Sequence, residues 1–227
     1  MESARAAVAE LVAAFALVFI GAGASIMSGS GLDLTGVALA HGLVLAAMIA
    51  STAHLGGGLA NPAASVALWV AGRLTTTRAA VLVVAEVLGA VAAAFLLRYL
   101  VPESAFTSAS GGTPLVFSTV PAGKAIVIEA VCTFFLVFAA FALLVDGRGS
   151  SKTAAAFAVG AVYAVGIMAF GPLTGAAMNP ARWLGPAFAS GSWSDWYVWM
   201  VGPVSGAVIA AVLYSALFLR DRSPATP

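Results

Sequence analysis

Gly175-Ala176-Ala177-Met178-Asn179-Pro180-Ala181-Arg182 is the stretch whose reading decides the fold. It has an echo far upstream, in His54-Leu55-Gly56-Gly57-Gly58-Leu59-Ala60-Asn61-Pro62-Ala63. In both copies a hydrophobic span ends, a stretch of small residues follows, and Asn-Pro-Ala opens a second apolar run. Those runs, 61–71 and 179–189, supply only about 16 Å of helix at 1.5 Å per residue. A hydrocarbon core is roughly 30 Å thick, so each reaches halfway across a bilayer.

The membrane setting follows from composition. Of 227 residues, 62% are hydrophobic and 8% charged, whereas soluble domains carry about 25% charged residues. A net charge of +1 excludes the broad basic face that nucleic acid needs. The single cysteine, Cys132, forms no internal disulfide or thiolate metal site and reads as a small buried hydrophobe. No metal or other cofactor is expected. The apolar run 6–27 exceeds a signal h-region of roughly 7–15 residues and carries Glu10, so it reads as a retained membrane helix.

Working outward, apolar stretches long enough to span lie at 6–27, 35–54, 77–100, 123–145, 153–170 and 196–219. The connection 102–122 reads as a long polar loop dividing two halves. Arg5, Arg73, Arg78, Arg148, Lys152, Arg220 and Arg222 fall on one side of this arrangement, which puts both termini in the cytoplasm. The expected location is the plasma (inner) membrane.

The two halves match in register. Glu10-x4-Phe15-x-Leu17-Val18-Phe19 recurs as Glu129-x4-Phe134-x-Leu136-Val137-Phe138. Gly42 matches Gly160, Gly57 matches Gly175, and Gly89-Ala90 matches Gly206-Ala207. The chain is therefore read as one domain, 1–227, made of repeats at about 6–100 and 123–219. Each repeat holds three spans, an odd number, so the second is inverted and the broken segments meet near the midplane. The fold class is all-α: six transmembrane helices and two re-entrant half-helices.

Chemistry is expected where the half-helices meet. Asn caps free N–H groups, and Pro at the first helical position gives up nothing, because its missing N–H had no partner. Asn61-Pro62-Ala63 and Asn179-Pro180-Ala181 thus start two helices whose positive ends face each other. Irregular backbone at membrane depth must be buried or line a wet cavity. The carbonyls of Gly57, Gly58, Leu59 and Ala60, then Gly175, Ala176 and Ala177, read as a ladder of acceptors for small neutral solutes. Arg182 is a permanent cation beside it.

On these motifs, and on Gly202-Pro203-x-x-Gly206-Ala207, the chain resembles the aquaporin (major intrinsic protein) family over nearly its whole length. The resemblance implies a homotetramer in the lipid bilayer with one pore per subunit. It also implies that Glu10 and Glu129 accept hydrogen bonds from the re-entrant loops. Counting from the motifs, the family's constriction falls on His41, Ile167, Ala176 and Arg182, a set similar to that of some tonoplast aquaporins. Trp183 and Met200 depart from the family's usual residues, as do Leu59, Ala60 and Ala64, with consequences for pore width or half-helix packing. Glu86 matches Pro203 in the repeat and receives no role.

The expected function is a passive channel for water and small neutral solutes such as ammonia or urea, excluding protons and ions. A glycerol or small-polyol facilitator is the alternative. An ion-coupled inverted-repeat transporter is disfavoured, because no acidic residue adjoins either Asn-Pro-Ala in sequence. His41 and His54, the only histidines, have no Ser/His/Asp or metal-ligand spacing around them, so an enzyme is not expected.

Overall fold

Among the described residues, six helices are long and apolar enough to cross a membrane. The structure, a computed structural model, describes residues 2–55, 58–148 and 152–219. Gly57, Arg220 and Arg222 lie outside them. The long helices are α1 (Glu2–Met27), α2 (Leu34–Thr52), α4 (Thr76–Leu100), α6 (Ala122–Ala140), α7 (Lys152–Thr174) and α9 (Trp196–Tyr214), and between them lie the short α3 (Pro62–Val70), α5 (Glu103–Ser108) and α8 (Pro180–Ser190). α6 and α9 each run on into one π-helical turn, Phe141–Val145 and Ser215–Leu219.

The principal pairings are α1 with α4, α6 with α9, and α2 with α7, while α3 packs on α9 and α8 on α4. Each half-helix thus lies against a long helix of the other half of the chain. Helices in a membrane gain little by hiding apolar area from lipid, so they associate by close van der Waals approach. Glycine permits it: a Cβ on Gly42 would meet the Gly160 carbonyl, and one on Gly160 would meet that of Gly42. Gly89 lies in the same way against the Leu11 carbonyl, and Gly206 against that of Ala130. The outer faces carry Leu43, Leu88, Phe135, Val165 and Ile209, all largely exposed and suited to lipid.

Two elements depart from the sequence reading. α7 does not end at residue 170 but continues through Pro172 to Thr174. Proline removes only one ladder bond, and the helical pattern resumes where the Gly175 N–H donates to the Gly171 carbonyl at 2.8 Å. The segment 102–122 is also no simple loop. It forms α5 and a turn at Ser110–Gly112, then runs inward with Gly111 to Pro114 buried. The Phe117 N–H donates to the Leu173 carbonyl at 2.9 Å, which ties it to the end of α7.

At the opposite end, Asp146 joins α6 to α9. It accepts from Arg148 Nε at 3.0 Å and from the Tyr214 hydroxyl at 3.1 Å, while Arg148 Nη2 also reaches the Phe218 carbonyl at 2.8 Å. Hydrogen bonds from the Arg148 side chain and backbone hold the Asp146 carboxyl well below the usual carboxylate range. Because the folded form binds its proton less readily than the unfolded chain, this tie is at full strength above about pH 4 and fades below it. Asp146→Ala should therefore lower the melting temperature in detergent at pH 7, and the gap to the unaltered protein should close as pH falls below about 4. A gap independent of pH would contradict this origin.

Candidate functional site

Each half-helix begins at its asparagine. Asn61 Oδ1 accepts the Ala63 N–H at 3.0 Å, and Asn179 Oδ1 accepts those of Ala181 at 2.9 Å and Arg182 at 3.3 Å. Capping uses only the carbonyl end of each amide. The other end crosses between the halves: Asn61 Nδ2 donates to the Met178 carbonyl at 2.8 Å, and Asn179 Nδ2 to the Ala60 carbonyl at 2.7 Å. The two helix N-termini are thereby fixed nose to nose.

The stretches before them are held by two buried carboxylates. Glu10 accepts the N–H groups of Gly58 at 2.6 Å, Leu59 at 3.4 Å and Ala60 at 2.7 Å. Glu129 accepts Ala177 at 3.0 Å, Met178 at 2.8 Å and the Thr174 hydroxyl at 2.8 Å. Among the described residues the backbone has no cis peptides, and a trans peptide points its carbonyl opposite to its N–H. An N–H row aimed at each Glu therefore turns the carbonyls of Gly58, Leu59, Ala176 and Ala177 the other way. Holding the row takes left-handed backbone at Ala60, Ala176 and Met178, with φ of 49°, 42° and 50°. For non-glycine residues this costs of order 1–3 kcal/mol each, and the carboxylate bonds offset it.

Two of the expected free acceptors are partly occupied. The Ala60 carbonyl takes the Asn179 amide, and the Ala177 carbonyl takes the Tyr163 hydroxyl at 2.7 Å. Each keeps a second lone pair.

A cavity of about 380 Å³ opens above this stretch, lined by His41, Ile167, Gly175 and Arg182 together with Ser25 and the buried segment around Thr113. Ala176 lies one residue deeper, packed in the apolar cluster with Ile167 and Tyr163. A second cavity of about 160 Å³ opens on the other side, against Glu10, Leu59, Ser65 and Leu68. Near Asn61 the open space between Leu45, Ile49, Leu59 and Val159 falls to about 10 Å³. The two larger cavities thus lie apart from a much smaller space beside Asn61.

Arg182 is less free than a solute-facing cation would be. Its Nε donates to His41 Nε2 at 2.8 Å, Nη1 to the Gly112 carbonyl at 2.9 Å and Nη2 to Ser25 Oγ at 3.3 Å. Of five N–H donors, two are left for the cavity. His41 Nδ1 lies 2.8 Å from the Val37 carbonyl, which can only accept. Its Nε2 meets a guanidinium, which can only donate, so the ring is neutral with its proton on Nδ1. His41 therefore presents a wall, not a hydrogen-bonding group, to the cavity.

The family profile described as Major intrinsic protein matches residues 1–214. Aquaporin TIP4-4 of Zea mays is 40% identical over 227 residues, covering 96% of this chain and 88% of the relative. The chain belongs to the major intrinsic protein family. Aquaporin TIP2-1 of Arabidopsis thaliana is 35% identical, covering 96% of this chain and 89% of its own. The solved aquaglyceroporin of Plasmodium falciparum superposes with a TM-score of 0.85 at 24% identity, covering 95% of this chain and 96% of its own. The fold is thus the aquaporin fold, and this family consists of passive channels, not enzymes. The curated relatives are tonoplast-type aquaporins and lend no support to a plasma-membrane location.

Sequence reasoning missed several residues of this major intrinsic protein. Tyr163, Thr174, Ser25 and Gly112 all bond to the site, yet none belongs to a repeated motif. Trp183 turns out to face away from the cavity: it is buried, stacks on Trp199 at 5.2 Å and donates to the Pro114 carbonyl at 3.2 Å. Met200 packs beside the same cluster. Both brace the inward-running segment from behind.

Glu129→Gln sets an amide N–H₂ against donors that now find a carboxylate. It should lower unfolding stability in detergent by about 2–4 kcal/mol and reduce osmotic water flux in proteoliposomes. Unchanged stability would mean that the loop holds its shape without the carboxylate.

Proposed function

We propose that this channel passes water and small neutral solutes such as ammonia and urea, and that it excludes protons and ions. The observation that carries the reading is the reciprocal bonding of Asn61 and Asn179 across the two half-helix ends. Each end carries roughly half a positive charge. A cation between them gains nothing, and above them it meets the Arg182 guanidinium. A water molecule finds amide and carbonyl partners on both sides. The aquaporin names of the curated relatives support water as the first solute. The wider range is supported by the mouth: Ile167 brings neither aromatic bulk nor a donor, and both nitrogens of His41 are taken. In this reading Ala176 completes the constriction, and the carbonyls of Gly58, Leu59, Ala60, Gly175 and Ala177 line the lane.

Stopped-flow light scattering on proteoliposomes tests this. Fast shrinkage in an impermeant osmolyte should be followed by re-swelling with urea and rapid ammonia equilibration. Shrinkage with no solute re-entry would make it a strict water pore, and re-swelling with glycerol ahead of urea would make it a polyol facilitator. Saturable, ion-dependent flux would make it a transporter. His41→Phe with Ile167→His should narrow the mouth and cut urea and ammonia flux roughly fivefold or more while water flux persists. No change would move the constriction away from these residues.

The chain is further proposed to be one domain of inverted repeats that assembles as a homotetramer with both termini cytoplasmic. The matching carboxylate and asparagine bonds of the two halves support the repeat, and the Lys and Arg distribution supports the orientation. Light scattering in detergent should give four chains of 22.6 kDa. Protease added outside intact cells or vesicles of known sidedness should spare both termini.

A further inference from the structure

Glu86 is a fully buried acid on α4 that the channel reading leaves unused. Its Oε1 accepts the hydroxyl of Ser65, on the first half-helix, at 2.8 Å. Its Oε2 is buried, and among the described residues no group donates to it. Besides Ser65, the neighbours in reach of the Glu86 carboxyl are the Asn61 backbone N–H and the carboxyl of Glu10. Glu10 is already the acceptor for the N–H groups of Gly58, Leu59 and Ala60. Two carboxyl groups in contact, both ionised and both buried, repel each other strongly. A single proton between them turns that repulsion into a hydrogen bond.

The charges around the pair do not relieve it. α4 packs against α1, α3, α8, α5 and the Ser110–Gly112 turn. Among described side chains, α1 brings Arg5, exposed at its start, and Glu10 itself; α3 and the turn bring no titratable group. α8 brings Arg182, which bonds away towards His41, Gly112 and Ser25. α5 brings Glu103, which is exposed. Arg78 and Arg98 stand in the first and last turns of α4, far along the helix from Glu86. The second half offers a built-in comparison. Pro203 stands at the position matching Glu86, and Glu129 receives the Thr174 hydroxyl instead.

We propose that Glu86 is a positioning residue that carries a proton on Oε2 and donates it to Glu10, so that one protonated pair braces both the Gly58–Ala60 backbone and the first half-helix through Ser65. The first re-entrant stretch thus depends on a proton shared by two acids, whereas the second is held by one acid, Glu129, with no second carboxyl at the matching position. When alkaline solution removes the shared proton, the two carboxylates push apart and Glu10 loses its hold on the carbonyl row. The flux part of this inference rests on the channel reading; the proton itself does not.

Two measurements decide it. Infrared spectroscopy of the unaltered full-length protein in bilayers at pH 7 should show the carbonyl stretch of a buried, protonated carboxylic acid. That band should vanish in Glu86→Gln and persist in Glu129→Gln. Absence of the band in the unaltered protein, or its survival in Glu86→Gln, overturns the proposal whether or not the channel conducts. In proteoliposomes, water permeability should fall by about twofold or more as the pair ionises at alkaline pH. Glu86→Gln keeps the shape of the acid and gives Glu10 a permanent N–H donor. It should conduct as the unaltered protein does at pH 7 and stay flat with pH. An alkaline fall that persists in Glu86→Gln overturns the positioning role.

Discussion

Two pieces of unpaired backbone lie in the middle of this membrane protein, and the need to satisfy them shapes everything around them. In hydrocarbon an unbonded N–H or carbonyl costs several kcal/mol. The chain meets this by sending the N–H row of each stretch to one carboxylate, Glu10 or Glu129. Peptide geometry then aims the carbonyls the opposite way. The direction of the carbonyl row is thus a by-product of how the donors are paired.

The asparagines set the second condition. Each must cap its own helix and also reach the carbonyl just before the other's cap. This fixes the separation of the two helix ends to within a hydrogen bond. It also explains the left-handed backbone at Ala60 and Met178, the two residues whose carbonyls are offered across. The glycine contacts between α2 and α7, and within α1–α4 and α6–α9, let the surrounding helices come close enough to hold that distance.

The upper mouth obeys different rules. Its Arg182 is steered by His41 and by a carbonyl from the segment between the halves. That segment is kept in place by Trp183 and by Gly175, where a side chain would strike Pro114. The shape of the mouth thus depends in part on Trp183, which does not line the cavity, and the non-repeated part of the chain makes the two mouths unequal.

What the sequence by itself determined was the part that repeats. Six spans, two half-spans starting at Asn61 and Asn179, and the pairing of Glu10 with Glu129 were all legible, because hydropathy and a duplicated motif are local signals kept in one linear register. On sequence α7 ends at residue 170, whereas the tertiary setting lets the helix run past Pro172 to Thr174. The inward path of residues 109–115, the outward face of Trp183 and the grip on Arg182 were not legible at all. Each depends on contacts between residues far apart in the chain, with no repeat to announce them. Glu86 shows the limit most clearly. The sequence marks it only as an acid without a counterpart, and only the packed structure decides that it lies against Glu10, where two acceptors have no donor between them.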